Sequence, residues 1–329
     1  MRARALVAAL VVGLAAATVY VQYRELAHVI PHVGSVAYLQ VFERGTHEAT
    51  IAGEGVDPWE YRVLSDWGAE VGLQAARGLG FAHPYVIGFE AFRALQNIVI
   101  FALMWLLLRR FGLGRRASAL GLGLLAWAMT QSLFNTGLAF NTYSDVAFYL
   151  GAALLILDRR RWAWVVPLTV AAALNRETSG LIPVMLLAVA FFERDRRALR
   201  FGLAALAAFV VTVVAVRVVV GSAPLFKPFG LSPGWDYVSY NLRDGRTWEY
   251  LFRTVNIVPL VALAGVRQWP RELRAFAVAI VPAWLVIHLS ASILAESRLL
   301  LVPLAVVFIP GALLALQPSR PRAGFAPSS

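Results

Sequence analysis

The residues in this chain best suited to chemistry are charged side chains set into apolar surroundings. Asn175-Arg176-Glu177-Thr178-Ser179-Gly180 interrupts an apolar run from Trp162 to Phe192. Charge in such a run is costly unless it faces protein or water, so Arg176 and Glu177 are candidate functional residues by position alone. Irregular backbone at that depth is allowed only in protein or against water, so the tip is a candidate lining of a water-filled cavity. The plain alternative is a polar turn in which Thr178 or Ser179 caps the next helix and Glu177 complements its dipole. Four acids form a second set upstream, Glu54, Asp57, Glu60 and Asp66, with Arg62 among them. Paired carboxylates can act as a general base or hold a divalent cation, and Arg62 adds a phosphate ligand. A solvated loop accounts for the same residues without function. Asp145 follows Asn141-Thr142-Tyr143-Ser144, where helix capping explains it equally well. Glu296 and Arg298 precede the last apolar run and can pair with each other, with Arg176 or Glu177, or with a phosphate. His288 is read as a helix-to-helix hydrogen-bond partner and Arg217 as a snorkelling side chain. The five histidines lack metal-ligand spacing, so no metal ligands are assigned, and a chain without cysteine has no thiolate chemistry. Neither a phosphate-binding glycine loop nor a Gly-x-Ser-x-Gly motif occurs.

The elements that must carry these residues are membrane spans. The chain is 59% hydrophobic and only 15% charged, and its mean hydropathy is +0.66, unlike a soluble globular chain. The net charge of +11 is not gathered in a basic patch, so nucleic acid is not an expected partner. Arginine clusters sit instead at the ends of apolar segments, where membrane topology is written. The pattern predicts an all-α, polytopic transmembrane bundle of about ten spans with both termini inside. The spans are Ala5–Val21, Phe92–Leu108, Ala117–Phe134, Val146–Leu157, two pieces of Trp162–Phe192, Phe201–Val220, Val255–Val266, Ala275–Leu294 and Leu299–Leu316. They form a single transmembrane domain over residues 1–317, with outer loops at about 24–88 and 222–254 and a disordered cytoplasmic tail at 318–329. The first span is read as uncleaved, although Ala15-Ala16-Ala17 offers a site for a signal peptidase.

As a single helix, Trp162–Phe192 would be roughly 46 Å long, against a hydrocarbon core of ~30 Å. Cut at Asn175, it becomes a hairpin of two short helices with a polar tip. Charge decides between the two. With the hairpin, the inside segments hold 18 arginines and four acids, net +14, and the rest of the chain nets −3. Without it, every later arginine cluster flips outward and the bias collapses. In the first outer loop, Glu60–Leu79 is predicted to be an amphipathic surface helix. Leu64, Trp67, Val71 and Ala75 mark its apolar face, and Leu73 falls out of place on the polar one. Glu54–Pro58 forms the turn into it, with Asp57 suited to the cap and Pro58 to the first turn. The second outer loop carries Trp235, Tyr237, Tyr240, Trp248 and Tyr250, which suit a membrane interface.

Together these features resemble the GT-C superfamily of polytopic glycosyltransferases. The motifs that carry the resemblance are Tyr61-Arg62-Val63-Leu64 opening the surface helix, Asn175-Arg176-Glu177-Thr178 at a hairpin tip, and Glu296-Ser297-Arg298 before the last span. They are short, and spread from about Tyr38 to Leu316. One departure matters: the family usually carries an acidic pair just after the first span, and His32–Tyr38 has no acid. The resemblance implies transfer of a sugar from a polyprenyl-phosphate donor on the outer face of the cell membrane. An outer-loop acid, Asp57 first and Glu54 or Glu60 next, would activate the acceptor hydroxyl. Arg176 and Glu177, with Arg62 or Arg298, would hold the lipid phosphate, and Asp145 and Glu296 are further candidates. The implied partners are membrane lipid and the polyprenyl-phosphate-sugar donor, with a divalent cation as the one cofactor left open. The alternatives are a non-catalytic scaffold or lipid-phosphate-binding protein that kept the fold, and a transporter, for which the halves show no self-similarity.

Overall fold

The structure is a computed structural model that describes residues 2–29, 36–54, 57, 59–132, 139–223, 225 and 227–317. Expectations for the tail at 318–329, for His32–Ser35, for Gly55, Val56 and Pro58, and for residues 133–138 lie outside the described residues. Every named element is helical: α1 (Arg2–Val29), α2 (Val36–Ile51), α3 (Val63–Gly78), α4 (Pro84–Arg110), α5 (Arg115–Gln131), α6 (Phe140–Leu157), α7 (Val165–Ala173), α8 (Leu181–Glu193), α9 (Arg196–Val220), α10 (Trp235–Arg243), α11 (Gly245–Val255), α12 (Val258–Ala264), α13 (Arg271–Ala291) and the last helix, α14 (Ser297–Ala315). The only sheet-like contact among the described residues is an isolated bridge between Asp57 and Leu225.

Six of these helices are long and apolar enough to cross a membrane: α1, α4, α6, α9, α13 and α14. Helix α9 shows what that apolarity is for, since it leaves Val211 67% and Val218 76% exposed to the surroundings. The expected span Val255–Val266 is corrected. Val255 closes α11, Asn256 turns the chain at φ 50°, and α12 has 7 residues, a rise of about 10 Å. Helix α14 contains a π turn at Leu304–Phe308, one turn before Pro310, whose missing N–H leaves a carbonyl of that turn without its usual donor.

The break at Asn175 is a hairpin. Arg176 is extended (φ −167°, ψ 145°), which ends the helical path after α7. At the far end the two bases lie together: Arg159 Nη2 donates to Glu193 Oε1 at 2.7 Å, and the Arg197 guanidinium sits 5.9 Å from the Trp162 ring. Helix α9 runs back along α8, with Leu187 against Gly202 and Phe209 against Gly180. Arginine-rich turns share the base end. Arg159 also lies 3.8 Å from Glu272, and Arg110 Nη2 donates to the Leu157 carbonyl at 3.1 Å. The tip points to the other end.

Helix α3 keeps the expected apolar stripe facing out of the protein and packs a second face inward. Ser65, Ala69, Leu73 and Ala76 are buried against α4, whereas Leu64, Trp67 and Val71 are exposed. Leu73 is therefore on the packed face, not out of place. Two glycines make the contact: a Cβ on Gly88 would fall 2.7 Å from the Leu73 Cα, so backbone lies on backbone. The apolar stripe is left facing outward, as a helix lying on a membrane surface requires. Its N-cap is Arg62, with no side-chain cap bond, and not Asp57.

Candidate functional site

The hairpin tip is held by a carboxylate. Helix α6 begins at Phe140, so Asp145 lies inside it and not in a loop or at a cap. Asp145 is 0% exposed, and three groups of the tip converge on it. Asn175 Nδ2 donates to Asp145 Oδ1 at 2.8 Å, Thr178 Oγ1 donates to Oδ2 at 3.0 Å, and Arg176 Nη1 lies 3.6 Å from Oδ2. Asn175 Nδ2 also donates to the Asn141 carbonyl at 2.8 Å, and Ser65 on α3 donates to Asn175 Oδ1. The Leu64 N–H donates to the Leu174 carbonyl at 3.0 Å, joining α3 to the tip through backbone. Thr178 and Ser179 are thus used inward and do not cap α8. Thr178 serves Asp145, and Ser179 Oγ donates to the Arg176 carbonyl at 2.6 Å.

Arg176 is buried at 5% exposure and reaches a second helix. Its Nη2 lies 3.4 Å from His288 Nε2 on α13. His288 Nδ1 lies 2.9 Å from the Trp284 carbonyl, and a carbonyl can only accept, so Nδ1 carries the hydrogen. That fixes the tautomer and leaves the Nε2 lone pair to accept from Arg176, the helix-to-helix role expected for this histidine.

Arg298 comes from the first turn of α14, where Nη2 donates to Glu296 Oε2 at 2.6 Å. The adjacent Ser297 and Thr254 hydroxyls lie 2.5 Å apart, fixing this turn to α11. Arg62 enters from the N-cap of α3, half-buried, with its guanidinium 5.8 Å from the Trp59 ring. Burial lowers its pKa to about 10, and the like charges of Arg176 and then Arg298 push the same way, against Glu177 and Asp145. Arg62 therefore feels the charge of both other arginines. Arg62 Nε is buried without a hydrogen-bond partner, and Arg62 has no ion pair among the described residues. The chemistry of such a cluster suits an anion.

Two acids, Asp66 and Glu60, belong to the same charged group. Burial pushes the Asp66 carboxyl up to about 7, with Arg62 pulling it down and Glu60 raising it. Glu60 Oε2 is buried without a hydrogen-bond partner. Compared with family models, curated proteins and solved structures, the chain matches none. What the geometry itself gives is a polar end of a helical bundle that carries three arginines and two flanking carboxylates.

The other expected residues fall around this centre. Glu177 Oε1 lies 4.0 Å from Arg217 Nη2, and the Arg217 guanidinium, half exposed, covers the Tyr61 ring at 4.6 Å. Glu54 is exposed, and Asp57 pairs with Leu225 through its backbone. Among the described residues no hydrogen bond or ion pair joins Glu54 or Asp57 to Arg176. No group of three or more His, Asp or Glu there can hold a metal ion. One buried polar layer escaped the sequence reading. Arg93, Gln96 and Asn97 are all buried on one face of α4. Gln96 Nε2 donates to Ser144 Oγ at 2.8 Å, Arg93 Nη1 to Gln22 Oε1 at 3.3 Å, and Asn97 Nδ2 to Thr18 Oγ1 at 2.9 Å. Ser65 Oγ lies 3.1 Å from Ser144 Oγ, connecting this layer to the tip. The signal was present in the sequence: positions i, i+3 and i+4 share one face of a helix.

Proposed function

We propose that the chain is a multi-pass integral protein of the cell membrane that binds a polyprenyl-phosphate sugar donor at the Arg62–Arg176–Arg298 end and transfers its sugar. The arginine-rich turns at the other end support cytoplasmic termini and about ten crossings, counting α5, both arms of the α7–α8 hairpin and the broken path through α11 and α12, in place of the single span expected there, with the six long helices. The observation that carries the reading is the convergence of three arginines, of which Arg62 is half-buried and has no ion pair among the described residues. In this reading the acceptor hydroxyl gives its proton to a carboxylate as its oxygen attacks the anomeric carbon. The bond from that carbon to the phosphate oxygen breaks, and the guanidiniums stabilise the charge left on the phosphate. Arg176 is fixed by Asp145 and His288, so Arg62 is the cation free to follow the donor.

The base is better assigned to Asp66 or Glu60 than to Asp57 or Glu54. Asp66 is electrostatically coupled to Arg62, and a carboxyl raised to about 7 is matched to proton transfer near neutral pH. The test uses the full chain in lipid nanodiscs with a polyprenyl-phosphate sugar. Arg62→Gln should weaken donor binding, whereas Asp66→Asn or Glu60→Gln should stop transfer with binding retained. Undiminished transfer in all three variants sinks the assignment. Donor binding without turnover by the unaltered chain supports a lipid-phosphate-binding scaffold instead.

A further inference from the structure

A groove of about 570 Å³ lies between α1, α4 and the start of α5, at the end of the bundle opposite the three-arginine site. Its wall is apolar, built from side chains such as Val11, Ala102 and Trp105, and its mouth carries Arg4, Arg109 and Arg115. No carboxylate lines it. The three arginines come from the start of α1, the end of α4 and the first residue of α5, so antiparallel packing brings them to one level. Along α4 the groove runs from Ile98 to Arg109, a rise of roughly 16 Å, close to one leaflet of a ~30 Å hydrocarbon core. Arg109 Nη1 donates to the Leu113 carbonyl at 2.5 Å, which fixes its head, while Arg4 and Arg115 have no hydrogen bond or ion pair among the described residues. Helix α1 is loosely enclosed, with 22% of its apolar window buried in protein.

We infer that this groove is a binding site for an anionic phospholipid, its phosphate held by Arg4, Arg109 and Arg115 and an acyl chain lying against Val11, Ala102 and Trp105. A positive mouth on an apolar trough one leaflet long matches a negative headgroup on a chain of that length, and a basic pocket between helices is the usual form of such sites. The lipid would fasten α1 to α4 on the arginine-rich side. This assignment is independent of the sugar-transfer reading.

The test is native mass spectrometry of the purified full chain in neutral detergent, with phosphatidylglycerol or phosphatidylcholine of the same acyl chains added in turn. Phosphatidylglycerol should be retained at least tenfold better. The triple variant Arg4→Gln, Arg109→Gln, Arg115→Gln should lose that preference, while Arg160→Gln, Arg194→Gln, Arg196→Gln, altered at the same end but off the groove, should keep it. Ala8→Trp, on the exposed wall of α1, should block retention with all three arginines present and so separates a groove from a merely charged surface. Equal retention of the two lipids, loss in the second triple variant, or full retention in Ala8→Trp overturns the proposal. So does displacement of the lipid by inorganic phosphate at equal concentration, because the headgroup charge would then suffice.

Discussion

Replacing Asp145 tests whether the hairpin tip is held by charge. The carboxylate is fully buried, lies 3.6 Å from Arg176 Nη1, and accepts from Asn175 and Thr178. At an effective dielectric of ~20, opposite charges at 3.6 Å attract by about 4.6 kcal/mol. Removing one partner also strands the other charge in protein, so Asp145→Ala should destabilise the fold by about 3–5 kcal/mol. Asp145→Asn keeps the volume but has one acceptor oxygen, which cannot serve Asn175 and Thr178 as two carboxylate oxygens do. Its loss should be smaller but still more than about 1 kcal/mol. Arg176→Gln leaves Asp145 as the stranded charge and should cost about as much as Asp145→Ala. The double variant Asp145→Asn, Arg176→Gln contains neither charge, and its loss should fall short of the sum of the two single losses by about 2 kcal/mol or more. The measurement is reversible unfolding by dodecyl sulfate in mixed micelles, followed by circular dichroism. Losses that add to within about 0.5 kcal/mol would show that the two residues act independently and refute the pairing.

Three further outcomes follow from the same geometry. Gly88→Val forces a side chain onto the backbone of Gly72 and Leu73, 2.7–2.8 Å away, and should separate α3 from α4 at a cost of about 1–3 kcal/mol. Because the chain has no cysteine, paired cysteines on α3 and α4 give a clean cross-linking readout, which this variant should lose. The raised pKa of Asp66 fixes a pH dependence. The folded state holds the extra proton between 3.8 and about 7, so stability should fall as pH rises through that window, and Asp66→Asn should flatten the slope. An unchanged slope removes Asp66 as its source. Single cysteines at Glu177 and Arg194, labelled with a membrane-impermeant thiol reagent in sealed vesicles, should react from opposite sides. Labelling of both from one side contradicts the hairpin topology.

Hydropathy and charge spacing made the long helices legible, and the arginine count identified the hairpin before any contact was known. They failed where polarity is satisfied by partners distant in sequence. Asn141–Asp145 read as loop because five residues containing Asn, Thr, Tyr, Ser and Asp look soluble along the chain. In the fold Asn141 and Asp145 face Asn175, and α6 starts at Phe140, six residues before the expected Val146, and carries a fully buried acid. The same blindness hid Arg93, Gln96 and Asn97, whose partners Gln22, Ser144 and Thr18 lie on other helices. In helix α3 the apolar stripe faces outward as a surface helix requires, but Leu73, read as lying on the polar side, is buried: close packing on Gly88 makes a second face from Ala69, Leu73 and Ala76. The acids were ranked by position in the loop, which favoured Asp57. The charge cluster ranks them by coupling, Arg62 and Glu60 both acting on Asp66, and that favours Asp66 and Glu60. Asp145, the one acid paired directly with Arg176, is already occupied by Asn175 and Thr178. It is suited to aiming the arginine, not to accepting a proton from a bound hydroxyl.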